Sequence, residues 1–145
     1  MCRLFAYTMA TVNQGEHTFE VEVLISGETL PGYTAGEALS AGEPVALTGD
    51  YEVTAASDGG PAFGVVAYDV ADGEEVPVIA GDGQNEVRIE VSETVTAGDE
   101  LAPDGLGTFK HATADDETLA LANDGASSGE IVEARMIMQS GEVSA

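Results

Sequence analysis

Tryptophan is absent from these 145 residues, lysine and arginine together number four, and there is a single cysteine. Each shortage excludes something. Arg3, Arg88, Lys110 and Arg135 are scattered, so the clustered cations of a nucleic-acid footprint are missing. No run of roughly eighteen apolar residues occurs, which removes a helical membrane span. Residues 1–10 are too short and too weakly cationic to read as a secretory signal. Cys2 has no second cysteine to pair with inside the chain, which leaves the redox compartment open. Aromatic residues make up 6%, too few for the sugar-stacking platforms of a glycoside hydrolase.

Acid is what the chain has in excess: 27 Asp and Glu give a formal net charge of −23. With 43% hydrophobic residues it is nonetheless apolar enough to fold, and its length fits one compact domain whose core needs no disulfide. The acids are spread along the chain rather than gathered in a tail. Such a chain repels itself in dilute buffer, whereas at molar salt the Debye length falls to about 3 Å and neighbouring carboxylates are screened. The composition resembles that of proteins from salt-in halophiles. An acidic mesophilic protein that binds cations or a basic partner is the alternative, and both readings predict stability that rises with salt.

Eighteen glycines interrupt the chain and helical periodicity is almost missing, while strand signals are clear. Over residues 17–25, Phe19, Val21, Val23 and Ile25 fall on one face and Glu20 and Glu22 on the other. Further β-type runs cover residues 44–47, 51–55, 62–68, 75–79, 86–91, 107–112, 118–122 and 131–138. Turn clusters such as Thr48-Gly49-Asp50 and Asp72-Gly73 separate them. About nine short strands imply an all-β sandwich or small barrel. An offset of 56 residues lays Ala41-Gly42-Glu43-Pro44-Val45 on Ala97-Gly98-Asp99-Glu100-Leu101, and Gly73-Glu74-Glu75-Val76 on Gly129-Glu130-Ile131-Val132. Two related β units, residues 38–80 and 94–136, are therefore expected to share one core, because each alone is too small. The expected division is an N-terminal arm and first strand over residues 1–33, followed by a β domain over residues 34–145.

Catalytic parts are lacking. Met1-Cys2-Arg3-Leu4-Phe5 resembles the start of class II glutamine amidotransferases, but the match covers five residues and nothing later continues it. A thiolate nucleophile also wants an electropositive setting that 27 acids do not offer. G-x-S-x-G and both Gly-rich phosphate-loop patterns are absent. His17 and His111 have no Cys or second His at metal-ligand spacing. The acidic turns at residues 69–75, 82–86 and 115–117 lack the twelve-residue calcium-loop pattern; they read as a solvated surface able to hold hydrated monovalent or divalent cations. No catalytic, cofactor or metal-ligating residue is assigned.

Residues 34–138 resemble the small head decoration, or cement, proteins of tailed viruses. The resemblance is carried by Ala41-Gly42-Glu43-Pro44-Val45, Gly64-Val65-Val66-Ala67 and Gly73-Glu74-Glu75-Val76-Pro77-Val78. It recurs as Ala97-Gly98-Asp99-Glu100-Leu101, Leu119-Ala120-Leu121-Ala122 and Gly129-Glu130-Ile131-Val132. The second unit departs from the pattern, since Ala120 stands where the first has Gly64. The resemblance implies a small barrel or a β-tulip or β-clip-like domain. It implies a non-enzymatic role as a homotrimer on the outside of a capsid, clamping the major capsid protein, and with the acid excess it points to a virus of halophilic archaea. On that reading Arg3, Leu4, Phe5, Tyr7, Met9, Phe19, Val21 and Val23 form the capsid or subunit interface by strand addition. The same strand could instead close the chain's own barrel. The alternative function is a β-clip or carbohydrate-type binding module of a halophilic cellular protein.

Overall fold

The computed structural model describes residues 22–137. Within them the chain is all-β, with eleven strands and no helix. A closed barrel has the order β2 (Leu30–Ala35), β4 (Glu52–Ala55), β3 (Pro44–Gly49), β5 (Gly64–Val66), β6 (Glu75–Ala80). A six-stranded sheet has the order β1 (Leu24–Ser26), β7 (Glu86–Glu90), β11 (Ile131–Met136), β10 (Ala120–Ala122), β8 (Glu100–Pro103), β9 (Phe109–His111). Nine of the strands fall on or overlap runs expected from the sequence. β2 and β8 do not, and each carries a proline, Pro31 or Pro103, that reads as punctuation. The expected boundary after residue 33 falls inside β2.

The repeat is written into the hydrogen bonding. Adding 56 to the pairs Val45↔Ala55, Ala46↔Thr54 and Leu47↔Val53 returns Leu101↔His111, Ala102↔Lys110 and Pro103↔Phe109. The same step carries Gly64↔Ala80 to Ala120↔Met136 and Tyr33↔Val76 to Ile89↔Val132. Parallel pairing of Ala35 with Val53 closes the first barrel, and its counterpart in the second unit is the single bridge Val91↔Phe109. The second sheet is thus the same barrel with a looser seam and β1 added at its edge. The paired segments begin at β2 and β7, upstream of the unit boundaries expected from the sequence.

One turn design recurs at five of the acids. At Ser40 and Glu43 the Glu43 N–H donates to the Ser40 carbonyl, while the Ser40 N–H donates to Glu43 Oε1 at 2.9 Å. Gly42 between them sits at φ +83°, the left-handed conformation that a type II turn requires at its third residue. Reciprocal bonds of this kind recur at Ala71 with Glu74, Thr96 with Asp99, Thr113 with Asp116 and Ser127 with Glu130. These carboxylates satisfy turn amides that would otherwise need water.

Two apolar clusters fill the molecule. Ala35, Leu39, Val45, Val53, Val66, Val70, Val76 and Val78 line the first barrel, and their counterparts from Val91 to Ala134 line the second. The second cluster extends further, because Ala41, Ala56, Ala62, Val65 and Ile79 of the first unit pack against Val87, Ile89, Leu119, Ala120 and Met136 of the second. This shared apolar cluster joins the units. Each fully buried Val, Leu or Ile in it is worth about 1.5–3 kcal/mol.

Candidate functional site

The contact between units shows how one surface of this fold is recognised by another. Residues 56–62 of the first unit lie across the β8–β9 hairpin of the second. The Gly59 N–H donates to the Pro103 carbonyl at 2.8 Å, and the Glu117 N–H donates to the Gly59 carbonyl at 3.2 Å. Lys110 on β9 reaches Asp58 Oδ1 at 2.7 Å and Asp116 Oδ2 at 3.4 Å. The hydrogen bond from Lys110 to Asp58 leads in holding its ammonium above the ordinary lysine value, against an opposing effect of burial. Burial pushes the Asp116 carboxyl up, but the Thr113 amide and hydroxyl and the Lys110 charge outweigh it and the net shift is down. Glu43, beside the hairpin at Gly107, goes the other way. Burial raises its carboxyl, partly offset by the Ser40 amide and reinforced by Glu37.

Among the described residues, the same surface on the first unit is not covered by a second unit. A shallow groove of about 280 Å³ is lined by Tyr33, Ala46, Leu47, Pro61, Ala62 and Phe63. Ring centroids of Tyr33 lie 5.2 Å from Phe63 and 5.7 Å from Tyr51, both tilted, within the range of favourable aromatic pairing. Leu47 is 58% exposed and Tyr51 66%. Tyr51 occupies the hairpin turn at φ +53°, a costly conformation for a bulky residue. Its counterpart in the second unit is a glycine, Gly107, at φ +91°. No Lys, Arg or His occurs between Gly27 and Asp82, so the groove lies on a wholly acidic unit.

Of the residues expected at an interface, Arg3, Leu4, Phe5, Tyr7, Met9, Phe19 and Val21 lie outside the described residues, as do Cys2 and His17. Val23 is 1% exposed and packs in the chain's own core beside β7, where its carbonyl accepts the Arg88 N–H at 2.7 Å. His111 stands half-exposed on β9, 3.7 Å from Asp99. Two acids of the expected cation-holding turns are engaged with backbone: Asp82 Oδ1 accepts the Gln84 and Asn85 N–H groups, and Asp69 Oδ1 accepts that of Ala41. Among the described residues, no group of three His, Cys, Asp or Glu side chains is placed to hold a metal ion. The groove escaped the sequence reading because its lining comes from three separate stretches. A signal was present, however, in the repeat: Tyr33, Phe63 and Leu47 face Ile89, Leu119 and Pro103 at the offset of 56.

No family model matches the sequence, nor does any curated protein. Among solved structures, the fold is similar to the N base of head fiber gp8.5 in bacteriophage phi29, with a TM-score of 0.61 and 17% identity. The similarity covers 81% of this chain and 98% of that one. It therefore takes in both units.

Proposed function

We propose that this chain is a structural virion protein that decorates the outside of an icosahedral head as a homotrimer and stabilises the lattice of the major capsid protein, in a virus of halophilic archaea. The observation that carries the reading is the likeness in fold, over 81% of this chain, to the base of a head fiber. Decoration needs no catalytic group. It needs a surface that binds the assembled lattice and not free subunits, since such a ligand stabilises the lattice by its binding free energy, and repetition over the shell multiplies modest contacts. The acid excess fits a salt-rich setting, where copies of charge −23 can be packed side by side because their repulsion is screened.

Residues 3–9 and 19–21 of the arm carry the apolar side chains that this reading assigns to the capsid. The test is co-sedimentation of purified protein with undecorated heads across a KCl series. Binding at molar salt that weakens as salt is removed is expected. Failure to bind at every salt concentration would falsify the reading.

A further inference from the structure

The tip of the β8–β9 hairpin carries Leu106, which is 86% exposed, more than any other large apolar side chain among the described residues. The repeat supplies its control. At the offset of 56 the first unit has Asp50, an exposed acid of the kind that a solvated turn in this chain should carry. Leucine stands there in the second unit, although apolar surface left in water gains nothing for the isolated fold.

The loop is built to hold that side chain still. Asp104 Oδ1 accepts the Leu106 N–H at 2.7 Å and the Thr108 N–H at 3.2 Å. Its Oδ2 accepts the Thr108 hydroxyl, and the Asp104 N–H donates to the Thr108 carbonyl at 3.1 Å. Burial pushes the Asp104 carboxyl up, but the Thr108 hydroxyl, the Leu106 amide, Ser92 and the Thr108 amide outweigh it and the net shift is down. Gly105 and Gly107 flank the leucine at φ +83° and +91°, where a side chain would be strained. A Cβ on Gly105 would also stand 3.0 Å from the Asp58 nitrogen, and one on Gly107 3.3 Å from Glu43 Oε2. The tip is thus wedged against the first unit on both sides of Leu106, which projects into solvent.

We infer that Leu106 is an anchor that enters an apolar socket with a basic rim on the assembled major capsid protein. An anchor held rigid before binding loses little conformational freedom on docking, and a few side chains that fill a partner's pockets carry most of an interface's energy. Charge selects the partner. Glu43, Asp58 and Asp104 surround the tip, against the one ammonium of Lys110, so its complement is cationic. A second copy of this chain does not offer that complement among the described residues: Arg88, Lys110 and Arg135 are each already paired, with Glu133, Asp58 and Glu86. An anionic lipid surface is repelled by a chain of charge −23. At molar salt, charges are screened beyond about 3 Å, so a contact made there rests on apolar burial and on charges that touch.

The inference rests on the decoration role proposed above and adds a residue to it, so undecorated heads are again the probe. Full-length protein and variants are co-sedimented with heads in molar KCl over a concentration series. Leu106→Asp gives the second tip the residue with which the first already folds. It should weaken binding about ten- to a hundredfold, the factor that corresponds to burying one leucine side chain. Leu106→Met keeps an apolar side chain of similar volume and should bind nearly as tightly as the wild type. Both variants should unfold in urea at the wild-type midpoint, because the side chain is exposed, and free Leu106→Asp should show the wild-type mass in sedimentation equilibrium. Equal binding by the wild type and Leu106→Asp would overturn the inference and leave the decoration role standing, whereas heads that take up neither protein would remove both. A mass that falls with Leu106→Asp would place a second copy on the tip and overturn the choice of partner.

Discussion

Replacing Lys110 by methionine keeps the aliphatic stem and removes an ammonium that ties the two units together. Its two carboxylate partners differ in setting, and so should their shares of the cost. The Asp58 side chain is 68% exposed, so this contact is a surface ion pair worth about 0.2–1 kcal/mol. Asp116 is only 11% exposed, yet it keeps hydrogen bonds from the Thr113 N–H at 2.8 Å and hydroxyl at 2.9 Å. Its carboxylate is not orphaned, and its share should be about 1–2 kcal/mol, below the 3–5 kcal/mol of a broken buried pair. The expected loss is about 1–3 kcal/mol in all, with the melting temperature falling about 2–4 °C per kcal/mol for a chain of this size. Urea unfolding of Lys110→Met, Asp58→Asn, Asp116→Asn and the two double variants gives the couplings. That to Asp58 should shrink between dilute buffer and molar KCl, while that to Asp116 should persist. The pH dependence adds a second reading. Asp116 has a lowered pKa, so its contribution is present above the unfolded carboxyl value, about 3.9, and is lost as pH falls through the folded value. Lys110 has a raised pKa, so its contribution is present below about 10.4 and is lost as pH rises through the folded value. The alkaline loss should be absent from Lys110→Met. Equal couplings that vanish together in salt would refute this reading of the contact.

Leu119→Ala should cost about 2–5 kcal/mol, since Leu119 is fully buried where the units meet. Phe63→Ala, at the matching position in the groove, should cost clearly less because Phe63 is only partly buried, and equal losses by urea unfolding would contradict that difference in burial. Gly64→Ala should be among the most disruptive single-methyl changes, because its Cβ would stand 2.5 Å from the Ile79 carbonyl oxygen and 2.6 Å from Val78 Cγ1. The expected outcome is a loss of about 1–3 kcal/mol, and an unchanged unfolding midpoint would contradict the close approach of β5 and β6. Glu43→Gln keeps an oxygen for the Ser40 amide and removes a half-buried charge. Burial raises the Glu43 pKa, so the neutral form is favoured below the unfolded value and that advantage is lost as pH rises through the folded one. The substitution should therefore raise the unfolding midpoint at neutral pH and change little in acid.

How legible the fold was depended on the chemistry of each segment. β6, β7 and β11 follow an alternation that any strand with one buried face must show, as in Ile131–Met136, where exposed and buried residues alternate without a break. The repeat was legible because its turns demand glycine and acid at fixed places, as Gly42-Glu43 and Gly98-Asp99 do. β2 was hidden by Pro31-Gly32, and it persists there because the register shifts between Leu30 and Tyr33, a shift without counterpart in β7. The way the units meet was not legible at all. It rests on contacts such as Lys110 with Asp58 and Gly59 with Pro103, whose partners lie far apart in the chain and carry no pairwise mark in one sequence.

The placement of β1 has a mechanical consequence. The strand precedes the first barrel in the chain but is hydrogen-bonded to the second, with Leu24 opposite Val87 and the Arg88 N–H held by Val23. Tension applied at residue 22 is therefore delivered to β7 before it reaches β2. To unravel the first barrel from its N-terminal end, a pull must first strip β1 from its neighbour, and the Arg88 side chain, which donates to the Glu22 carbonyl at 3.1 Å, adds to that resistance. Anything anchored through residues 1–21 would thus load both barrels together, as a stitch does that passes through two layers of cloth.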